Sequence, residues 1–204
     1  MRNIRVVGLT GQSGAGKSTV ADVFAQNNIS IVSADELVKK LYVPNSVCLG
    51  AVAASFGSDI IRLDGCPDRK LIAQRAFADK KSTALLDSIV HPFVTYEFMK
   101  SVKSAIDSGE KVIVYDAPQL FESGSDVFCD LIVGVTADRR TRLERICRRD
   151  NISTAQAELR ISAQLDEKFF IDNSDIIIEN NGSLDDVVRA AKNAVAEINA
   201  LAVR

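Results

Sequence analysis

Residues 11–18 read Gly11-Gln12-Ser13-Gly14-Ala15-Gly16-Lys17-Ser18. An apolar run, Ile4 to Leu9, precedes them, and a helix-prone stretch, Thr19-Val20-Ala21-Asp22-Val23-Phe24-Ala25, follows. The spacing matches G-x-x-x-x-G-K-[ST] at every position. By average composition the four fixed positions coincide by chance in under about 1% of chains this size, so the match carries information. A buried strand that turns sharply into a helix through three glycines leaves few folds open. Glycine lets the backbone approach an anion with no Cβ in the way, and the amides at the helix N-terminus face that anion. The segment predicts a phosphate cradle; a Gly-rich turn that holds no nucleotide is the alternative. Gly11, Ser13, Gly14, Ala15, Gly16, Lys17, Ser18 and Thr19 are the candidate ATP contacts. Lys17 bridges the β- and γ-phosphates in this reading, and Ser18 offers its hydroxyl to Mg²⁺.

Further apolar runs occur at Ile29 to Val32, Lys111 to Tyr115, Leu131 to Val135 and Ile176 to Ile178. They are continuous rather than alternating, which indicates strands covered on both faces, as in a parallel sheet. Helical stretches separate them. The expected fold is α/β and doubly wound: a P-loop domain spanning 1–204, with a five-stranded, mainly parallel sheet and helices on both faces. Residues 36–107 interrupt the alternation with helical patterns and no convincing strand, which predicts an inserted acceptor-binding region. The last helix is expected from about Leu184 to Leu201, with Val187, Val188, Ala191, Val195 and Ile198 on one side.

Six arginines, at 139, 140, 142, 145, 148 and 149, crowd one short segment. Against Glu144 and Asp150 they leave +4 locally, in a chain whose formal charge is −2. At 100° per residue Arg142, Arg145 and Arg149 are expected to share a face, opposite Leu143, Ile146 and Cys147. Like charges so spaced repel unless an anion joins them. The segment reads as a phosphate-handling lid over 138–165, with a solvated helix face as the alternative. Asp35 follows the second strand and either accepts a proton from an acceptor hydroxyl or caps the helix that begins there. Asp116, closing the third strand, either holds magnesium through water or caps the strand end.

Charge excludes other classes. Lys plus Arg number 25 and Asp plus Glu 27, with pI about 5.5, so general nucleic-acid binding is disfavoured. No window approaches the roughly 20 apolar residues of a membrane span. Cys48, Cys66, Cys129 and Cys147 are scattered without a Cys-x-x-Cys pair, and His91 is the single histidine. That pattern builds no ordinary zinc site and suits a reducing, cytoplasmic setting. The chain lacks Asp-x-x-Gly and Asn-Lys-x-Asp, the marks of a GTPase switch. A small metabolite kinase fits best.

Several segments, taken in order, carry a more specific signal. They are Val7 to Gly11 leading into the cradle, Ala34-Asp35, Asp68-Arg69, and His91-Pro92 after Leu85-Leu86-Asp87. Then come Ala117-Pro118-Gln119-Leu120-Phe121-Glu122, Arg145, Arg149-Asp150 and Asn180-Asn181-Gly182. Together, over about residues 4–190, they resemble the dephospho-coenzyme A kinase family. The resemblance implies phosphorylation of the ribose 3′-hydroxyl of dephospho-CoA by ATP with Mg²⁺, the final step of coenzyme A synthesis. It implies a nucleotide-kinase-like core with a helical acceptor region and a lid. By carry-over Asp35 is the base. Arg69 and His91 serve the acceptor site together with Asp35. Arg145 and Arg149 join Lys17 in stabilising the transferring group, Arg142 adds to the ATP site, and Asn181 and Gly182 lie near the adenine. The residues by themselves allow His91-Pro92 to be only a helix break and Arg69 an ordinary surface cation. The chain departs from the family at Ser33, often Asp, and at Gln119, often Leu. The alternatives are another small-metabolite or nucleotide kinase, and a nucleotide-binding regulatory module without catalysis.

Overall fold

A computed structural model describes residues 4–202. Strand β1 (Arg5–Gly11) runs into helix α1 (Lys17–Gln26), and β2 (Ser30–Ser33) follows. Four helices come next: α2 (Ala34–Leu41), α3 (Val47–Phe56), α4 (Arg69–Ala76) and α5 (Lys80–Asp107). Strands β3 (Val112–Asp116) and β4 (Leu131–Thr136) precede α6 (Arg139–Asp150), α7 (Thr154–Ser162) and α8 (Glu167–Asn173). Strand β5 (Ile176–Glu179) and helix α9 (Leu184–Ala202) complete the described chain. Each expected apolar run is a strand.

Two compact units result. One comprises the chain up to Val32 and from Ser104 onward; the other is Ser33–Lys103. In the first, the sheet order is β2-β3-β1-β4-β5. Strand β1 pairs in parallel with β3, Leu9 opposite Asp116, and with β4, Gly11 opposite Val135. Strand β5 pairs with β4, also in parallel. From β1 the chain steps to the far edge, β2, and only then fills the place beside β1 with β3. Ligands of open α/β sheets collect at such a reversal, beyond the carboxyl ends of the strands. The glycine-rich segment leaves β1 at that point.

Helices α1 and α9 supply apolar side chains to one core cluster with the sheet. Val20, Val23 and Phe24 from α1 join Val187, Ala191, Val195 and Ile198 from α9 against Val7, Leu9, Val114, Val133 and Val135. Phe24 and Ile198 are fully buried, and each such side chain contributes about 1.5–3 kcal/mol relative to exposure. That packing holds the start of α1 steady.

In the second unit α5 runs through Pro92 without a break. The alternative reading of His91-Pro92 as a helix break therefore does not hold. Proline removes one bond to the carbonyl four residues earlier. Val90, Val94, Phe98 and Val102 nevertheless form a buried stripe at four-residue spacing, and its burial outweighs the lost bond. Cys48, Cys66, Cys129 and Cys147 are all unbridged. No helix among the described residues is long and apolar enough to cross a membrane.

Glycine packing gives a paired test. A Cβ on Gly8 would stand 2.7 Å from Leu120 Cδ2 and 2.9 Å from Cys129 Sγ, and Leu120 is fully buried. Gly50, inside α3, has open space where its Cβ would be. Gly8→Ala is expected to destabilise the fold by about 1–3 kcal/mol. Gly50→Ala is expected to stabilise it by about 0.5–1 kcal/mol. Denaturant unfolding of the two variants measures both.

Candidate active site

The turn after β1 is closed by the Ala15 N–H, which donates to the Gln12 carbonyl at 3.0 Å. Gly14 has φ +80° and Gly16 φ +98°, a left-handed region that side chains resist. A Cβ on Gly14 would meet the Arg142 carbonyl oxygen at 2.8 Å, and one on Gly16 would collide with Asn180 Nδ2. Both positions need glycine twice over, for conformation and for space. Gly16 is the N-cap of α1, and no side chain caps that end. Among the described residues the chain supplies no acceptor for the amides of Gly14, Gly16, Lys17 and Ser18. These donors and the positive end of α1 form a ready anion site. Thr19 differs, since its amide donates to the Gly16 carbonyl at 3.1 Å.

The carbonyl edge of the turn is pinned by distant residues. Asn180, 6% exposed, donates from Nδ2 to the Ala15 carbonyl at 2.7 Å. Arg145 donates one long contact to Asn180 Oδ1 at 3.3 Å and others to the carbonyls of Gly14 and Ala15 at 3.4 and 3.5 Å. Asn181 does not reach the turn; its Oδ1 accepts the Asp138 amide at 2.7 Å, at the start of α6. Asp138 caps α6 by accepting from the Thr141 amide and hydroxyl, and those bonds hold its carboxyl below the usual range. Gly182 leaves room for Asp186, whose carboxylate accepts from the Ser183 amide and hydroxyl. The Asn180-Asn181-Gly182 run at the end of β5 marks the loop in the sequence, but nothing there shows that Asn180 holds the turn.

Lys17 and Asp116 form an ion pair at the carboxyl edge of β1 and β3, with side chains 17% and 15% exposed. The sequence reading connected neither residue to the other. The Ser18 hydroxyl lies on the exposed side of α1's first turn. Ser18 and Asp116 each offer a hard oxygen donor.

The arginines divide. Arg142 is 5% exposed and shares the buried face of α6 with Ile146, which corrects its expected place on an open face with Arg149. Its Nε donates to the Ala137 carbonyl at 3.0 Å. Burial pushes its guanidinium below the ordinary value, and Glu167 works against that shift. Arg149 is bound through two nitrogens to Asp150, at 2.8 and 2.9 Å, a contact that raises the arginine and lowers the acid. Arg145 is the arginine of the segment whose side chain bonds to the turn.

The second unit carries the expected acceptor residues. Ser33 caps α2, accepting from the Glu36 amide at 3.3 Å, so the capping role weighed for Asp35 falls to Ser33. Asp35 is exposed in the first turn of α2. Arg69 opens α4 behind its cap Asp68 and lines a cavity of about 480 Å³ with Tyr42, Arg62, Cys66 and Lys70, among others. Three cations around one cavity suit an anionic ligand. His91 lies elsewhere on α5, its Nε2 3.9 Å from Asp87 Oδ1, and does not line that cavity.

A family model described as CoaE, dephospho-CoA kinase, matches residues 5–186. A dephospho-CoA kinase from Corynebacterium glutamicum is 38% identical over 192 residues, covering 94% of this chain and 96% of the relative. The crystal structure of TT1252 from Thermus thermophilus superposes with a TM-score of 0.80 at 26% identity, covering 95% of this chain and 97% of that one. A dephospho-CoA kinase from Campylobacter jejuni shares the fold, with a TM-score of 0.72 at 23% identity, covering 97% of this chain and 98% of that one.

Asn180→Ala leaves the Ala15 carbonyl without its closest partner. It is expected to cost about 1–3 kcal/mol of stability, read as a lower melting temperature, and to weaken nucleoside triphosphate binding measured by calorimetry. Unchanged values on both measurements would remove Asn180 from the site.

Proposed function

The chain belongs to the dephospho-CoA kinase family, and we propose that it transfers the γ-phosphoryl group of ATP to the ribose 3′-hydroxyl of dephospho-CoA, the last step of coenzyme A synthesis. One observation supports the reading above others: among the described residues the turn amides of Gly14, Gly16, Lys17 and Ser18 have no chain acceptor, while Lys17 and Arg145 bring two cations to the same turn. That donor set matches a polyphosphate.

In the transfer, the 3′-oxygen bonds to the γ-phosphorus and the bond to the β–γ bridging oxygen breaks, so ADP leaves. The hydroxyl proton passes to Asp35, whose carboxylate is free of capping because Ser33 does that work. Lys17 has three N–H donors and can exchange Asp116 for phosphoryl oxygens. Arg145 spreads the charge that builds on the transferring group. Arg149 joins it by giving up Asp150, a solvent-screened and therefore weak pair. Arg142 serves the ATP side by holding α6 against the turn. Asn181 holds the start of α6, and Gly182 shapes the adjoining loop near the adenine. Arg69 binds the acceptor through a negatively charged group, and His91 contributes to the same acceptor region.

Mg²⁺ fits the residues present. Ser18 and Asp116 are oxygen donors of the kind it prefers, and the described residues contain no cluster of three or more His, Cys, Asp or Glu that could cage a metal. Magnesium is usually held by one or two protein oxygens, with phosphates and water completing its shell. When bound, it neutralises phosphate charge. Four free thiols support a cytoplasmic place of work.

Two experiments test the proposal. Mass spectrometry of dephospho-CoA incubated with ATP and magnesium is expected to show coenzyme A, with Lys17→Ala as the inactive control. Binding of ATP with no phosphorylated product from this or any other acceptor would instead mark a nucleotide-binding module without catalysis. Asp35→Asn is expected to lower kcat at least about a hundredfold with little change in ATP affinity. Near-normal turnover would take the base role from Asp35.

A further inference from the structure

The loop between α7 and α8 holds the cradle through two crossed contacts. Gln164 Oε1 accepts the Ser13 amide at 3.0 Å. Gln12 Nε2 donates to the Leu165 carbonyl at 3.4 Å, and Gln12 is 3% exposed. The loop is fixed on both sides. The Gln164 amide donates to Ile161 at 3.2 Å, and Asp166 caps α8 by accepting the Phe169 amide at 2.7 Å. Just beyond, Phe169 and Phe170 pack edge-on against Phe121 at 5.3 and 5.9 Å. Gln164 is therefore presented from an anchored loop.

The amide it holds differs from the others in the turn. Gly16, Lys17 and Ser18 lie at the N-terminus of α1, where the inner phosphates of a nucleotide belong. Ser13 lies ahead of that terminus, as the second residue of the turn that the Ala15 amide and the Gln12 carbonyl close. With the inner phosphates at that terminus, the outermost phosphoryl group is the part of a nucleotide that would meet Ser13. An amide N–H serves one good acceptor at a time, so the Gln164 oxygen and that outer oxygen compete for the same proton.

We propose that Gln164 sets the preference between nucleoside triphosphate and diphosphate by competing with the terminal phosphoryl oxygen for the Ser13 N–H. The inference rests on the cradle binding ATP. A triphosphate must displace the carboxamide; a diphosphate leaves it in place. The displaced carboxamide thereby registers a transferable phosphoryl group, whereas ADP leaves the contact intact.

Calorimetric titration of the full chain with magnesium–ATP and magnesium–ADP tests this. In Gln164→Leu the competitor is gone, so ATP is expected to bind roughly three- to tenfold tighter while ADP is unchanged. In Gln164→Glu a carboxylate of the same shape takes the amide and repels the phosphoryl group. ATP is then expected to bind at least about tenfold more weakly relative to ADP. A merely structural glutamine would move both nucleotides together, or only the melting temperature, and that result would overturn the proposal. So would weaker ATP binding relative to ADP in Gln164→Leu. A wild-type chain that binds neither nucleotide would sink the parent reading along with this one.

Discussion

The bond from Asn180 to the Ala15 carbonyl, 2.7 Å long, decides which way the turn presents its donors. A peptide unit is planar, with its C=O and N–H on opposite edges. Holding the Ala15 oxygen therefore turns the Gly16 N–H the other way. The same logic applies one step earlier: the Gln12 oxygen is held by the Ala15 amide, so the Ser13 N–H faces outward to Gln164. Pinning carbonyls on one side is how the chain keeps amides available on the other. It also explains the glycine at 16, because any Cβ there would occupy the place of Asn180 Nδ2. The bond and the missing side chain are one constraint.

This division also shows what the sequence could reveal. The cradle is contiguous, and its chemistry is local, so residue types and spacing were enough to read it. The strands were legible because burial on both faces of a parallel sheet demands unbroken apolar runs. The partners of the cradle were not. Asn180 and Gln164 lie more than a hundred residues away in sequence, and nothing in an isolated asparagine or glutamine says what it will meet. Lys17 and Asp116 were each singled out, yet their pairing needs the register that sets Leu9 opposite Asp116. Sequence periodicity carries no information about register between distant strands.

Arg142 and Pro92 show packing overriding local rules. A helical wheel of α6 places Arg142 only about 40° from Ile146, so the two must share a face. Reading the arginines as one charged stripe ignored that. The helix buries this face against a turn that Gly14 keeps thin, and Arg142 goes in with it, satisfied at Nε by Ala137. Its Nη1 and the Gln12 Oε1 are buried without a hydrogen-bond partner among the described residues. Such orphans cost stability, and both stand beside the cradle, where a fold gives up some stability for a site. Pro92 is the milder case, one bond against a long apolar stripe.

The remaining arginines bear on how charge is held in reserve. The expected repulsion along α6 is relieved by carboxylates: Arg139 with Glu158, Arg140 with Glu144, and Arg149 and Arg160 sharing Asp150. These pairs are exposed, and exposed pairs are weak and screened by salt. A strongly buried partner would have locked each cation away from any other anion. Weak pairs keep α6 and α7 folded while leaving their cations free to change partners. Arg145 is the exception: it already leans on the turn through long contacts of 3.3–3.5 Å. Those contacts are too long to be strong, so Arg145 can exchange them for a better acceptor at little cost. The segment is thus built to be stable without being committed, which is why its charge pattern looked like a binding surface in sequence and like an ion-pair network in the fold.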